Sequence, residues 1–420
     1  MKKIQLSDGV NLVVIPTTQF KTLNISVDFT AQLATQNISE RALLSYVQSA
    51  SAKAYPNQQD VAQKLIDLYG ARYQTDVMRF GQTHHVRFDL QLPAPSYIGE
   101  QTQLLASAFD FLGEMIFSPK VSENQFDQQI FAKEQQSLCN ELASLRDDKR
   151  RYAMSQLKEI TFTEEEMTLS SLGRATDVSQ VTAASLYEAW HKMVMTDTIS
   201  IIVLGDIQAS HILELVSQWP LVSRKPKVVK PFYQPHLRES VISKSEEQSD
   251  INQSILTLAY HLNIPANDSR RFTALILNAL FGGSPLSKLF TNVREQQSLA
   301  YSIFSSWQQD TGYLTVLAGV DKAQVQSADE MIQQQLQDIQ AGNIDPDVLE
   351  AIKASTINDY LSQQDSPAHQ LEKNFARLLT GRQTTAEQWI NYVQNVTPQM
   401  VQQLSQEVIL QNRFVLLPEG

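Results

Sequence analysis

One order of segments occurs twice in this chain. VTAASLYEAWHKMV at 181–194, followed by the apolar run ISIIVLG, is echoed by VTPQMVQQLSQEVI at 396–409, followed by RFVLLP. The two starts lie 396 − 181 = 215 positions apart, a spacing of whole-domain size rather than that of a solenoid repeat. A chain of 420 residues exceeds one ordinary hydrophobic core. The echo says how it divides: into two domains built alike, each closing with a helix that leads into a strand. Thr182 and Thr397 stand where those helices need an N-cap.

Period-two signals fill out both halves. LNISVDFTA places Leu23, Ile25, Val27 and Phe29 on one face and Asn24, Ser26, Asp28 and Thr30 on the other, the pattern of a half-buried strand. HVRFDLQL repeats it with Val86, Phe88, Leu90 and Leu92, and SILTLAYHL and YLTVLAGV do the same in the second half. A long helix candidate follows each pair: IGEQTQLLASAFDFLGEMIF, closed by Ser118-Pro119, and SADEMIQQQLQDIQ, closed by Ala341-Gly342. RALLSYVQSASAKAYP at 41–56 reads as a further helix that runs into a Tyr-Pro turn. These elements predict an α+β protein of two homologous α/β sandwich domains, each a mainly antiparallel sheet with one face covered by helices. The domains are expected at 1–222 and 241–420. Between them, at 223–240, Pro226, Pro231 and Pro235 mark an extended linker without periodicity.

Composition narrows the function. Hydrophobic residues at 42% and charged residues at 19% are those of a globular protein. Apolar runs such as Ile201 to Leu204 fall far short of the ~20 residues of a membrane-spanning helix, so no membrane partner is expected. The start, MKKIQLSDGVNLVVIP, is interrupted by Gln5, Ser7 and Asp8 and lacks the continuous apolar stretch of a secretion signal, which leads to the expectation of a cytoplasmic protein. Cys139 is the single cysteine, excluding an internal disulfide or a thiolate-rich zinc cluster. A net charge of −11 argues against nucleic acid as a partner. The one basic stretch, Arg224, Lys225, Lys227 and Lys230, reads as solvated linker.

Residue types and spacing by themselves offer no catalytic centre. The histidines are His84, His85, His191, His211, His236, His261 and His369, and no two have the three- or four-residue spacing at which helix-borne ligands share an ion. His84 and His85 are neighbours in a strand, which directs one to the core and one to the sheet surface. No glycine-rich phosphate loop or G-x-S-x-G elbow occurs, and FGGS at 281–284 has too few glycines to signal nucleotide binding.

The order of landmarks does resemble a known family: the pitrilysin/insulinase zinc metallopeptidases, or inverzincins, in their short bacterial form of two homologous domains. The resemblance covers nearly all of the chain. LSDGVNLVVIP is similar to the family's opening strand, the helix before Tyr55-Pro56 to the segment that carries its H-x-x-E-H motif, and DVAQKLIDLYGARYQTDV to the helix and strand that follow. GGSPLSKLFTNVREQQSLAYSIFSS is similar to a second-domain run with an Arg and, seven residues on, a Tyr; here these are Arg294 and Tyr301. Aligned on Leu43-Leu44 and Tyr55-Pro56, the family's first His falls on Ala42, its Glu on Ser45 and its second His on Tyr46. From Arg41 to Gln59 there is no His, Cys, Asp or Glu, so no shift of register restores a metal site. KEQQSLCNEL keeps Glu134 and Glu141, and Glu141 matches the family's remaining ligand; a lone carboxylate cannot hold zinc tightly, and a solvated helix face is the better reading of both residues.

The resemblance therefore implies a degenerate member that binds no metal and is not an enzyme on its own. It would form half of a clamshell and supply Arg294 and Tyr301 to the site of a homologous, H-x-x-E-H-bearing subunit that carries the zinc and cleaves small peptides. An Arg fork suits a peptide carbonyl or carboxylate, and a Tyr hydroxyl suits a tetrahedral oxyanion. The alternative is an inert scaffold or peptide-binding protein, which among paired bacterial members of the family has been linked to modification of elongation factor P. Without the resemblance, Arg294 and Glu295 read as a surface ion pair and Tyr301 as a core aromatic. Ser298 stands where the family usually has Gly before the Ala-Tyr pair, a departure that bears on the local turn.

Overall fold

The computed structural model describes residues 2–98, 101–225 and 229–419. Its strands are β1 (Lys2–Ser7), β2 (Val10–Pro16), β3 (Thr22–Gln32), β4 (Arg72–Phe80), β5 (Thr83–Pro93), β6 (Val121–Ser122), β7 (Gln125–Phe126), β8 (Thr198–Gly205), β9 (Ile242–Gln248), β10 (Ser254–His261), β11 (Ser302–Gln308), β12 (Tyr313–Val320) and β13 (Ile409–Pro418). Among the described residues they form a six-stranded sheet in the order β1-β2-β8-β3-β5-β4, a five-stranded sheet in the order β11-β12-β10-β13-β9, and the small hairpin β6-β7. The pairing sense runs in parallel through the two large sheets. β2 lies parallel to β8 and β9 parallel to β13, while β3 and β10 each sit antiparallel between their neighbours.

Both echoed segments fold as expected. Ala183–Thr196 is a helix whose Thr182 accepts from the Ser185 amide in a capping box, and it leads into β8. Pro398–Ser405 is a helix capped by Thr397, which accepts from the Met400 amide, and it leads into β13. The long helix candidates form over Gln101–Phe117, with Gly99 and Glu100 outside the described residues, and over Val325–Gln340.

The chain divides by its contacts into two units, each assembled from three segments. One comprises Met1–Ala143, Leu169–Pro231 and Gln363–Gly381, the other Ser144–Thr168, Phe232–Ser362 and Arg382–Gly420. Each sheet thus receives one helix from the far side of the sequence. In the first unit the core of Val27, Phe29, Phe88 and Leu90 packs on Leu43, Leu44, Phe109 and Leu112, as the alternation predicts. The opposite face, expected to meet solvent, is covered by the helix Pro367–Thr380, whose Leu371 and Phe375 pack on Val13, Ile202 and Leu204. In consequence nearly every residue of β3 is buried, polar ones included. In the second unit the helix Lys149–Thr161 buries Ala153, Leu157 and Ile160 and lies against β10 and β13.

The polar faces under these helices corrected two expectations. His84 and His85 are both fully buried, neither at a sheet surface. His84 Nδ1 accepts from Arg41 Nε at 3.0 Å while its Nε2 faces the Ser171 carbonyl at 2.9 Å, and burial, with the Arg41 charge, pushes its imidazole down to about 3. His85 lies between the hydroxyls of Thr30 and Thr83 and meets the ring of Phe375 edge-on at 4.9 Å. Arg224 is not solvated linker: it is buried, and its guanidinium donates to the carbonyls of Val194, Asp197 and Val222. Lys225 and Lys230 are exposed, and Lys227 lies outside the described residues.

Candidate functional site

Two places answer to the residues singled out by sequence. The first is where the helices Thr35–Ala50 and Gln128–Ser144 bring side chains together. Ala42 is fully buried, and Ser45 is buried with its hydroxyl turned back onto the Ala42 carbonyl at 2.8 Å. β4 steadies the helix: Thr75 Oγ1 donates to the Ser45 carbonyl at 2.8 Å, and the Tyr73 hydroxyl to that of Gln48 at 3.2 Å. Tyr46, one turn beyond Ala42, donates its hydroxyl to a carboxylate oxygen of Glu141. Burial, then the bond to Glu141, raises its phenol well above the ordinary tyrosine range, so the oxygen keeps its proton. Glu134, one heptad before Glu141, is buried; its Oε1 accepts no hydrogen bond, and Lys133 Nζ approaches it at 3.4 Å.

This donor set does not fit zinc. Zinc needs several imidazole, thiolate or carboxylate ligands. Here a methyl group, a self-bonded hydroxyl and a protonated phenol stand at the positions the resemblance implies, and the carboxylate of Glu141 is taken by that phenol. Among the described residues no three His, Cys, Asp or Glu side chains converge as a metal site would require.

The second place is in the other unit. The run GGSPLSKLFTNVREQQ starts at the end of one wide π-helical segment, Ala279–Gly283, and contains a second, Leu289–Gln296, a geometry that in folded proteins is frequent at functional sites. The glycines of FGGS are needed for packing: a Cβ on Gly282 would come within 2.7 Å of Leu289 and 2.8 Å of Ser305. Arg294 is 40% exposed; its guanidinium lies 4.6 Å over the ring of Phe290, and its Nε is 3.5 Å from a Glu295 oxygen. Ser298, where the resemblance implies glycine, adopts φ +51, a left-handed conformation. Tyr301 is 65% exposed, not a core aromatic; its amide donates to the Gly319 carbonyl at 2.9 Å. Its hydroxyl donates to Asp321 at 3.1 Å, a bond that raises the phenol above its usual value.

Sequence reasoning missed Phe290 and Asp321. Phe290 was findable, because it precedes Arg294 by four residues on a helical stretch. Asp321 was not: it reaches Tyr301 only because β11 pairs with β12 in the register Ser302 to Gly319.

The family described as "Peptidase M16 inactive domain" matches residues 180–356. The chain is 26% identical over 409 residues to "Probable inactive metalloprotease YmfF" of Bacillus subtilis, covering 97% of this chain and 96% of that protein. It is 25% identical over 318 residues to "Uncharacterized zinc protease YmxG" of the same organism, covering 74% and 75%. A crystal structure of a conserved protein from Enterococcus faecalis superposes with a TM-score of 0.95 at 34% identity, covering all of this chain and 98% of that one. No helix among the described residues is long and apolar enough to cross a membrane. With nearly its whole length shared with such relatives, the chain belongs to the M16 (pitrilysin/insulinase) peptidase family, as an inactive metallopeptidase homologue.

Proposed function

We infer that this chain is the non-catalytic subunit of a two-chain M16 peptidase, paired with a homologous subunit that carries an intact H-x-x-E-H motif and the zinc. The observation that carries the reading is a contrast: at the positions the resemblance implies for the metal, Tyr46 donates to Glu141, whereas the side chains of Arg294 and Tyr301 reach solvent. Bacillus subtilis has one relative named as inactive and one named as a zinc protease, the combination such a pair needs.

In the complex, Arg294 would donate its fork to a substrate carbonyl or terminal carboxylate, and Tyr301 its hydroxyl to the oxyanion that forms as the amide is attacked. The Asp321 contact holds Tyr301 protonated, and the hydroxyl has to leave Asp321 before it can donate to substrate.

The test is a pull-down from native cells followed by kinetics on the reconstituted pair with short unstructured peptides. A stoichiometric H-x-x-E-H partner is expected. Tyr301→Phe should lower kcat by roughly 100-fold, the cost typical of a lost oxyanion donor, and Arg294→Ala should lower kcat/KM, with assembly intact in both. Normal turnover in both variants would leave the inert scaffold or peptide-binding reading, and recovery of elongation factor P or its modifying enzymes instead of a peptidase would give that scaffold its context.

A further inference from the structure

Arg294 sits on a turn that is wider than an α-helical one. The segment enters with an ordinary four-residue bond, the Thr291 amide to the Ser287 carbonyl at 2.9 Å. One residue later the closure changes: the Gln297 amide donates to the Asn292 carbonyl at 3.1 Å, a five-residue bond that spans Val293, Arg294, Glu295 and Gln296. Helical backbone closes at four residues by default, and a wider turn persists where surrounding contacts fix it. The apolar anchors do not choose between the two. Leu289 and Val293 are fully buried, and residues four apart lie on one side of either kind of turn.

The side chain of Asn292 does choose, because it is held at both ends. Its Oδ1 accepts from the Thr291 hydroxyl at 3.2 Å, and its Nδ2 donates to Gln335 Oε1 at 2.5 Å. Gln335 is 4% exposed on the helix Val325–Gln340 of the same unit. Its Nε2 is turned onto Met331 Sδ at 3.3 Å, which leaves Oε1 for Asn292. The residue whose carbonyl closes the wide turn is thus tied by its side chain to a buried amide on a neighbouring helix.

We propose that Gln335 is a positioning residue: through Asn292 it holds the wide turn around Arg294 and so sets the direction in which the guanidinium is presented. The proposal rests on the reading of Arg294 as a group that binds substrate in trans. Without the tie the turn closes one residue earlier, which rotates Arg294 about the segment axis relative to the buried Leu289. A misplacement of about 1 Å caused by a distant substitution can cost roughly 100-fold in rate.

Two links are tested in turn. Gln335→Met conserves side-chain volume and removes the acceptor; Asn292→Ala removes the same bond from its half-buried end, and circular dichroism checks the folding of both. In the purified chain, with no partner present, NMR hydrogen exchange should show the Gln297 amide losing protection by roughly fivefold in either variant, the net contribution of one hydrogen bond, while amides of β12 keep theirs. In the reconstituted pair, each variant should lower kcat/KM by roughly tenfold, but by less than about twofold when Arg294→Ala is already present, since residues that act through one group are not additive. Unchanged protection of Gln297, or equal losses with and without Arg294, would overturn the positioning role while leaving the peptidase reading in place. Normal turnover in Arg294→Ala would remove that reading, and the proposal with it.

Discussion

Ser298 spends its conformation on the turn that presents Tyr301. A side chain at φ +51 costs energy that glycine does not incur, and Ser298→Gly is expected to raise stability by up to about 1 kcal/mol. Urea denaturation of the isolated chain measures this; a loss of stability would mean that the Ser298 side chain makes a contact worth more than the strain. At Tyr46 the prediction has the opposite sign. Removing the hydroxyl in Tyr46→Phe leaves Glu141 without that donor and should cost about 1 kcal/mol, the usual net contribution of such a bond. At this scale the absence of zinc-binding residue types between Arg41 and Gln59 was legible, because zinc chemistry admits few of them. That Tyr46 had become a donor to Glu141 was not, since the two lie 95 positions apart.

Among elements, the helix Pro367–Thr380 shows how a polar strand face is used. Arg87 on β5 donates its Nε to Asp28 at 2.6 Å and its Nη1 to Glu372 of that helix, with Asp89 beside them. Burial outweighs the Arg87 charge and pushes the Asp28 carboxyl up to about 7 from its ordinary 3.8. Asp89 and Glu372 push in the same direction. A carboxyl whose pKa is raised by folding binds a proton more tightly in the folded state. Its contribution to stability is therefore complete below about pH 4 and is lost as pH rises toward 7. Stability should fall across that window, by at most about 1.4 kcal/mol per pH unit for this one proton, and Asp28→Asn should flatten the slope. Denaturant midpoints at a series of pH values decide it, and an identical slope in Asp28→Asn would sink the assignment. The polar stripe Asn24, Ser26, Asp28, Thr30 was plain in the sequence, but alternation reports only that two faces differ, not what covers the second one.

For the whole molecule, the consequence is that neither half of the sequence carries a complete unit. Residues 1–222 contain the helix Lys149–Thr161 but not the sheet it covers, and they lack Leu371 and Phe375. Fragments 1–222 and 241–420 expressed apart are expected to aggregate through the uncovered apolar faces, and to assemble when co-expressed; size-exclusion chromatography separates the outcomes, and two stable monomeric fragments would contradict the expectation. The sequence by itself determined the local matters: where strands and helices form, which threonines cap them, and that no zinc-binding residue type stands between Arg41 and Gln59. These depend on periodicity and on chemistry within a few residues. Only the tertiary structure decided that each unit takes one helix from a distant stretch of the chain, that His84 and His85 are both buried, and that Asp321 takes the Tyr301 hydroxyl. Each of those is a contact between residues distant in the chain, set by sheet register and by the docking of whole elements, and no local pattern encodes it.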